Sequence, residues 1–136
     1  MILEKIIPKD GPSIKEVNKY IDKYSKEIIV IKCGGSVLLD RNLFNQFVED
    51  ISVINKLGLS VIVLHGGGKK IKLKLDKLNI ETKFVEGLRV TDEKTVKAVE
   101  EALLEINFEI LNNIHNQKAK AVSVSPQKNN IIEVIQ

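Results

Sequence analysis

The sequence holds a single cysteine, Cys33, no tryptophan, and only four phenylalanines and two tyrosines in 136 residues. A lone cysteine excludes an intramolecular disulfide and a metal site built on several thiolates. Aromatic rings are too few to form a base-stacking surface, and the lysines are spread through every segment instead of massed in one block. Nucleic acid is therefore not an expected partner, despite the net charge of +3. No apolar run approaches the roughly 20 residues a membrane-spanning helix requires, so a membrane is not expected either. Met1-Ile2-Leu3-Glu4-Lys5 lacks a long apolar core with a small-residue cleavage site, which makes a cytoplasmic location the expectation. The G-x-G-x-x-G and G-x-x-x-x-G-K-[ST] fingerprints are both missing, so neither a nicotinamide enzyme nor a Walker-type NTPase is indicated.

What is present is a globular composition, 43% hydrophobic and 29% charged, at the size of one ordinary domain folding around one core. Twice a run of β-branched and aliphatic residues stops on glycines and passes into a helix-like segment. The first is Ile28-Ile29-Val30-Ile31-Lys32-Cys33-Gly34-Gly35-Ser36, and the second is Val61-Ile62-Val63-Leu64-His65-Gly66-Gly67-Gly68. In such a turn a strand brings the backbone to a sheet edge and glycines permit close approach by a ligand. The following helix then directs unpaired N–H groups at an anion. Two such turns, with Lys32 beside the first, suggest facing sites for two anionic groups.

Residues 1 to 12 read as an arm ending in the turn Asp10-Gly11-Pro12. Ser13 and Glu16 then offer a capping box to a helix with Ile14, Val17, Tyr20 or Ile21, and Tyr24 along one face. A strand is expected over about 27–32. Asp40 or Asn42 can cap a helix striped with Phe44, Phe47, Val48, Ile51 and Ile54, and Gly58 is placed to end it. A second strand covers 60–64. Residues 69–79 fit both period two and period 3.6, with helix favoured after a glycine turn. A short strand at 82–85 leads to Glu86-Gly87-Leu88-Arg89-Val90-Thr91-Asp92. A long helix then runs to about Asn116, with Val96, Val99, Leu103, Ile106, Ile110 and Ile114 on one side. Strands are expected at Ala119 to Val124 and Ile131 to Ile135, around a polar turn holding Pro126, Asn129 and Asn130. Strands alternating with helices predict an α/β fold, a mostly parallel sheet sandwiched between helices, with ligands beyond the carboxyl ends of the strands.

Three segments, in order and at these separations, resemble the amino-acid kinase family and within it the acetylglutamate kinases. They are Ile31-Lys32-Cys33-Gly34-Gly35-Ser36-Val37-Leu38-Leu39-Asp40, His65-Gly66-Gly67-Gly68 and Gly87-Leu88-Arg89-Val90-Thr91-Asp92. The resemblance spans about residues 14 to 135, and the Gly87–Asp92 segment is its most specific part. It implies ATP-dependent phosphorylation of the side-chain carboxylate of N-acetylglutamate, in arginine biosynthesis, with ATP and Mg2+ as co-substrate. By the same resemblance Lys32 is the catalytic lysine that neutralises the phosphoryl group in flight. Gly34 and Gly35 donate backbone N–H groups to ATP phosphates, Gly67 and Gly68 hold the reacting end of the acyl substrate, and Arg89 grips a substrate carboxylate. Residues 13–26 resemble a helix that interlaces with a neighbouring subunit, giving two units: 1–26, arm and amphipathic helix, and 27–136, the acyl-substrate-binding domain.

The resemblance also implies that this is the N-terminal lobe of such a kinase, with the C-terminal nucleotide lobe absent. Little or no turnover is therefore expected of the chain alone. Lys69 stands where the family usually has proline, and Ser125 to Asn130 lacks the glycines of a family turn. Plainer readings stand beside these: Lys32 as a strand-end lysine in solvent, Arg89 paired with Asp92 or Glu93, and Lys69 to Lys77 as a solvated face. His65, His115 and Cys33 read as structural, because phosphorylating a carboxylate removes no proton from the nucleophile. The alternative function is a non-catalytic relic or regulatory module that binds an acidic metabolite or assembles with a full-length kinase.

Overall fold

The computed structural model describes residues 2–7 and 9–125. The order of elements is α1 (Ile2–Ile6), α2 (Ile14–Tyr24), β1 (Ile28–Cys33), α3 (Arg41–Lys56), β2 (Ser60–His65), α4 (Gly68–Lys77), β3 (Lys83–Val85), β4 (Leu88–Val90) and α5 (Glu93–Asn116). The fold is α/β with parallel strands and helices, as the alternation of elements predicts.

β1 and β2 pair in parallel from Ile28↔Ser60 to Cys33↔His65, so both strands end at the same edge. Strand periodicity sends Ile31, Cys33, Val61 and Val63 to an inner face, where they meet Phe44, Val48 and Ile51 of α3 and Ile106, Ile110 and Ile114 of α5. A second buried cluster joins Ile71 and Leu75 of α4 to Ala98 and Ala102 of α5. The single core expected from chain length is thus two clusters threaded on one long helix. α5 buries Thr95, Ala98 and Ala102 in its first half and Ile106, Ile110 and Ile114 in its second. Val96, assigned to the buried stripe from sequence, is exposed. The small residues beside it face α4 instead and let that helix approach closely.

Local chemistry sets the element ends. Ser13 and Glu16 close the capping box of α2, with the Glu16 N–H donating to Ser13 Oγ at 3.3 Å and the Ser13 N–H to Glu16 Oε2 at 3.0 Å. On α2 it is Ile21 that is half-buried, whereas Tyr20 is exposed and stacks on Tyr24. Asp40, not Asn42, caps α3, accepting from the N–H groups of Asn42 and Leu43 at 2.9 and 3.1 Å. Gly58 follows α3 with a φ of +83°, the left-handed conformation of a helix end.

Several expectations are corrected. The N-terminal arm contains a short helix, α1, which buries Leu3. Ala119 to Val124 is not a strand. Side-chain hydrogen bonds hold it, from the Lys120 N–H to Asn55 Oδ1 at 3.2 Å and between His115 Nε2 and the Ala121 carbonyl at 2.9 Å, in place of a ladder to β2. A cavity of about 310 Å³ lies between that segment and Val61, Val63 and His65 of β2. The turn at 126–130 and the strand at 131–135 lie outside the described residues. The lysines of α4 are not all a solvated face: Lys70 pairs with Glu109, and Lys74 pairs with Glu101 at 2.9 Å and Glu105 at 2.6 Å. Residues four apart on α4 thereby address acids on α5. Among the described residues no helix is long and apolar enough to cross a membrane.

Candidate functional site

Parallel register carries the two glycine turns to one place. Cys33 lies opposite His65, and one residue further the Gly66 N–H donates to the Cys33 carbonyl at 3.1 Å, tying the second turn to the first. The turns differ in character. Beyond Gly34 and Gly35 the chain makes one tight turn, with the Asp40 N–H donating to the Ser36 carbonyl at 3.2 Å, before α3 begins under its aspartate cap. The N-terminal amides of α3 are engaged by that carboxylate, so an anion at this turn meets the backbone of 34–36 and not a helix end. A Cβ built on Gly34 or Gly35 would meet nothing within 4 Å, so the turn is open. Lys32 is exposed at the end of β1 and makes no ion pair among the described residues.

At the second turn α4 begins immediately, with Gly67 as its N-cap and no side chain capping it. That is the arrangement in which helix amides remain available to an anion. Gly67 is buried, and a Cβ there would lie 2.8 Å from Leu103 Cδ2 and 3.1 Å from Ile71 Cδ1. Its missing side chain lets the start of α4 sit against α5. Gly68 is exposed, with open space around its Cβ position, and lines a cleft of about 930 Å³.

Arg89 lines the same cleft, together with Lys72, Thr82 and Phe84. β3 and β4 form an antiparallel hairpin across Glu86 and Gly87, whose φ angles of +49° and +81° match the two positive-φ positions of a two-residue hairpin loop. The register places Arg89 opposite Phe84. Its guanidinium carbon stands 4.9 Å from the Phe84 ring centroid, and Nη1 donates to Thr82 Oγ1 at 3.2 Å. Arg89 is therefore not the partner of Asp92 or Glu93. Asp92 caps α5, accepting from the Thr95 N–H at 2.8 Å, and hydrogen bonding by the Thr95 side chain and backbone holds its carboxyl below the usual aspartate range.

His65 and Cys33 sit at the ends of β2 and β1. His65 Nδ1 lies 3.3 Å from the Gly66 carbonyl and is part-buried. Cys33 is buried, and burial pushes its thiol pKa up, away from the thiolate. Sequence reasoning missed Thr82, Phe84 and Lys72 as cleft residues. The first two become legible only through the hairpin register, and the third only once α4 is known to be a helix over Gly68–Lys77. Among the described residues no three His, Cys, Asp or Glu side chains gather as a metal site.

Comparisons with known proteins agree with this architecture. The amino acid kinase family model matches residues 27–136. The chain is 50% identical over 134 residues to the acetylglutamate kinase of Pelagibacter ubique, covering 98% of this chain and 46% of that protein. It is 44% identical over 115 residues to that of Campylobacter curvus, covering 84% and 41%. Among solved structures, smu.665 from Streptococcus mutans UA159 superposes with a TM-score of 0.64 at 25% identity, over 75% of this chain and 41% of that one. N-acetylglutamate synthase from Neisseria gonorrhoeae, complexed with coenzyme A and N-acetyl-glutamate, shares the fold, with a TM-score of 0.58 at 17% identity over 78% and 26% of the chains. The chain spans less than half the length of these kinase relatives, mostly their N-terminal part. By sequence and by fold, the chain belongs to the amino acid kinase family.

Proposed function

We propose that this chain is the acyl-substrate half of an acetylglutamate kinase, whose reaction is transfer of the ATP γ-phosphoryl group to the side-chain carboxylate of N-acetylglutamate. The observation that carries the reading is the hydrogen bond joining the two glycine turns, from the Gly66 N–H to the Cys33 carbonyl at 3.1 Å. It brings a lysine-flanked open turn beside an uncapped helix N-terminus, and Gly68 of that helix shares a cleft with Arg89. Phosphoryl transfer requires mainly positioning and charge compensation, which a lysine and backbone N–H groups supply.

In this proposal Arg89 holds one carboxylate of the substrate, pre-oriented by Phe84 beneath it and Thr82 beside it. A planar guanidinium suits a carboxylate better than an ammonium does. The start of α4 at Gly68 receives the reacting carboxylate, and Gly67 keeps that helix end seated on α5. Lys32 compensates the charge that develops on the phosphoryl group, with Gly34 and Gly35 offering backbone donors to the ATP phosphates. The open space over both glycines and the exposure of Lys32 fit a phosphate chain. Mg2+ would be held by the nucleotide phosphates, where it would add to the charge compensation given by Lys32. The carboxylate nucleophile is already ionised, so no general base is required and His65 has no chemical step.

Calorimetry with N-acetylglutamate tests the substrate reading directly. The wild-type chain is expected to bind, and Arg89→Ala to lose about 1.5–3 kcal/mol, the worth of a charge-assisted hydrogen bond, or roughly tenfold to a hundredfold in affinity. Equal heats from both proteins, or none from the wild type, would remove the reading. Formation of the acyl phosphate from N-acetylglutamate and ATP, read as the hydroxamate after added hydroxylamine displaces phosphate, is expected only once a chain carrying the nucleotide half is supplied.

A second reading is favoured by α2, which is amphipathic and buries no residue. Residues 13–26 then serve assembly with another copy or with a full-length kinase, and the chain acts as a module that binds an acidic metabolite without turnover. Sedimentation of the chain with and without residues 1–26 discriminates: deletion abolishes self-association or kinase binding if this reading holds.

A further inference from the structure

The α4 lysines divide between two sides of the helix. Lys70 and Lys74, one turn apart, pair with Glu109 and with Glu101 and Glu105 of α5. Lys72 falls two residues from each, which at about 100° per residue places it roughly 200° around the helix, away from those acids. It is exposed, makes no ion pair among the described residues, and lines the cleft that holds Gly68, Thr82, Phe84 and Arg89. Side chains on a helix lean toward its N-terminus, so a residue four after Gly68 covers the turn that begins at Gly68. Asp76 and Glu81 line the same cleft, and neither pairs with Lys72 or Arg89 among the described residues. Asp76 is a further turn along α4, about 12 Å from Gly68 on the helix axis against about 6 Å for Lys72. The ammonium is therefore the nearer of the two α4 charges to that glycine.

We infer that Lys72 is a specificity-determining residue of this cleft, whose ammonium takes the side-chain carboxylate of the acyl substrate and so selects the acid over the corresponding amide. The inference rests on the proposed function and adds to it the group that reads the reacting end. Two cations from different elements then stand in one cleft. Arg89, set over Phe84 and bonded to Thr82, serves the carboxylate that N-acetylglutamate and N-acetylglutamine share. Lys72 serves the charge present on the first and missing from the second, two ligands of nearly the same size and shape. An amide in that place offers one neutral oxygen, and its N–H groups are donors with nothing to give to an ammonium. The two cations differ in kind as their tasks do. A planar guanidinium fixes one end of a ligand, and a flexible four-carbon stem lets an ammonium follow the other.

Calorimetry of the full chain with N-acetylglutamate and with N-acetylglutamine tests it. The wild-type chain is expected to bind the acid about tenfold or more tighter than the amide, the worth of one charge-assisted hydrogen bond. Lys72→Met should weaken N-acetylglutamate about tenfold and leave N-acetylglutamine within about twofold, so the preference falls by nearly the whole factor. Lys72→Arg should keep the preference, because the charge remains. An exposed side chain without a partner contributes little to folding, so all three proteins should melt at the same temperature. A preference undiminished in Lys72→Met, a wild type that binds both ligands equally, an equal loss of both ligands in Lys72→Met, or a preference lost in Lys72→Arg would each overturn the inference. Arg89→Ala separates it from the acyl-substrate reading, since that variant should weaken both ligands by one factor and keep the preference. That result beside an undiminished preference in Lys72→Met removes only the role of Lys72. No heat from N-acetylglutamate with the wild type removes the acyl-substrate reading and the inference with it.

Discussion

Gly67 and Gly68 are adjacent, and the fold uses them oppositely. The hydrogen in place of a side chain at Gly67 admits Leu103, Ile71 and Ile106, so Gly67→Ala crowds a packed junction. It is expected to cost about 1–3 kcal/mol, read as a lowered urea midpoint with unchanged slope. Gly68→Ala has open space and a helical position, so its stability should hold or rise slightly, whereas N-acetylglutamate binding should fall if backbone approach to the substrate is what Gly68 provides. Stability loss at 67 together with binding loss at 68 is the expected pattern, measured by denaturation and calorimetry on the same samples. Gly87, at a φ of +81° in the hairpin loop, is a third case: Gly87→Ala should cost about 1 kcal/mol through backbone strain. That change also loosens the register holding Arg89 over Phe84.

At the scale of elements, helix ends and helix pairs respond to pH and salt. Thr95 lowers the Asp92 pKa, so the folded state prefers the ionised cap. The contribution is complete above the ordinary aspartate value of about 3.9 and is lost as pH falls through the lowered folded value. Asp92→Asn keeps a capping oxygen but cannot titrate, so the acid limb of melting temperature against pH should be shallower in that variant. Lys74 behaves inversely. Hydrogen bonds that it donates, first to Glu105 and then to Glu101, raise its pKa, and the pairing persists until pH rises past the ordinary lysine range. These pairs are largely exposed on the glutamate side, so salt weakens them. Lys74→Met should lower the melting temperature at low ionic strength and much less near 1 M salt.

For the whole molecule, α5 is the shared wall of both buried clusters. Ile106 is 0% exposed in the sheet cluster, one helical turn from Ala102 in the α4 cluster. Truncating it leaves a cavity where the two clusters meet: Ile106→Ala should cost about 2–5 kcal/mol and lower thermal stability in one cooperative transition. Two separate transitions would instead mean that the α4 layer unfolds independently of the sheet.

Much of this was legible along the chain. The capping box of α2, the glycine end of α3 and the α5 boundaries follow from interactions within a few residues, whereas spacing left Asp40 and Asn42 as alternative caps of α3. Lys32, Gly34, Gly35, Gly68 and Arg89 could be picked out because glycines after a strand and an arginine in a specific motif carry local chemical meaning. The sequence therefore determined the two parallel strands, the four longer helices and the candidate groups of the site, but not α1, β4 or the irregular course of 119–124. Tertiary structure alone decided the rest. It set Gly67 against α5 and gave Arg89 its aromatic bed. It paired the α4 lysines with α5 acids, turned the stripe of α5 from Val96 to Ala98 and Ala102, and held residues 119–124 off the edge of β2. Each of these depends on contacts between residues far apart in the chain, whose energies no local spacing encodes.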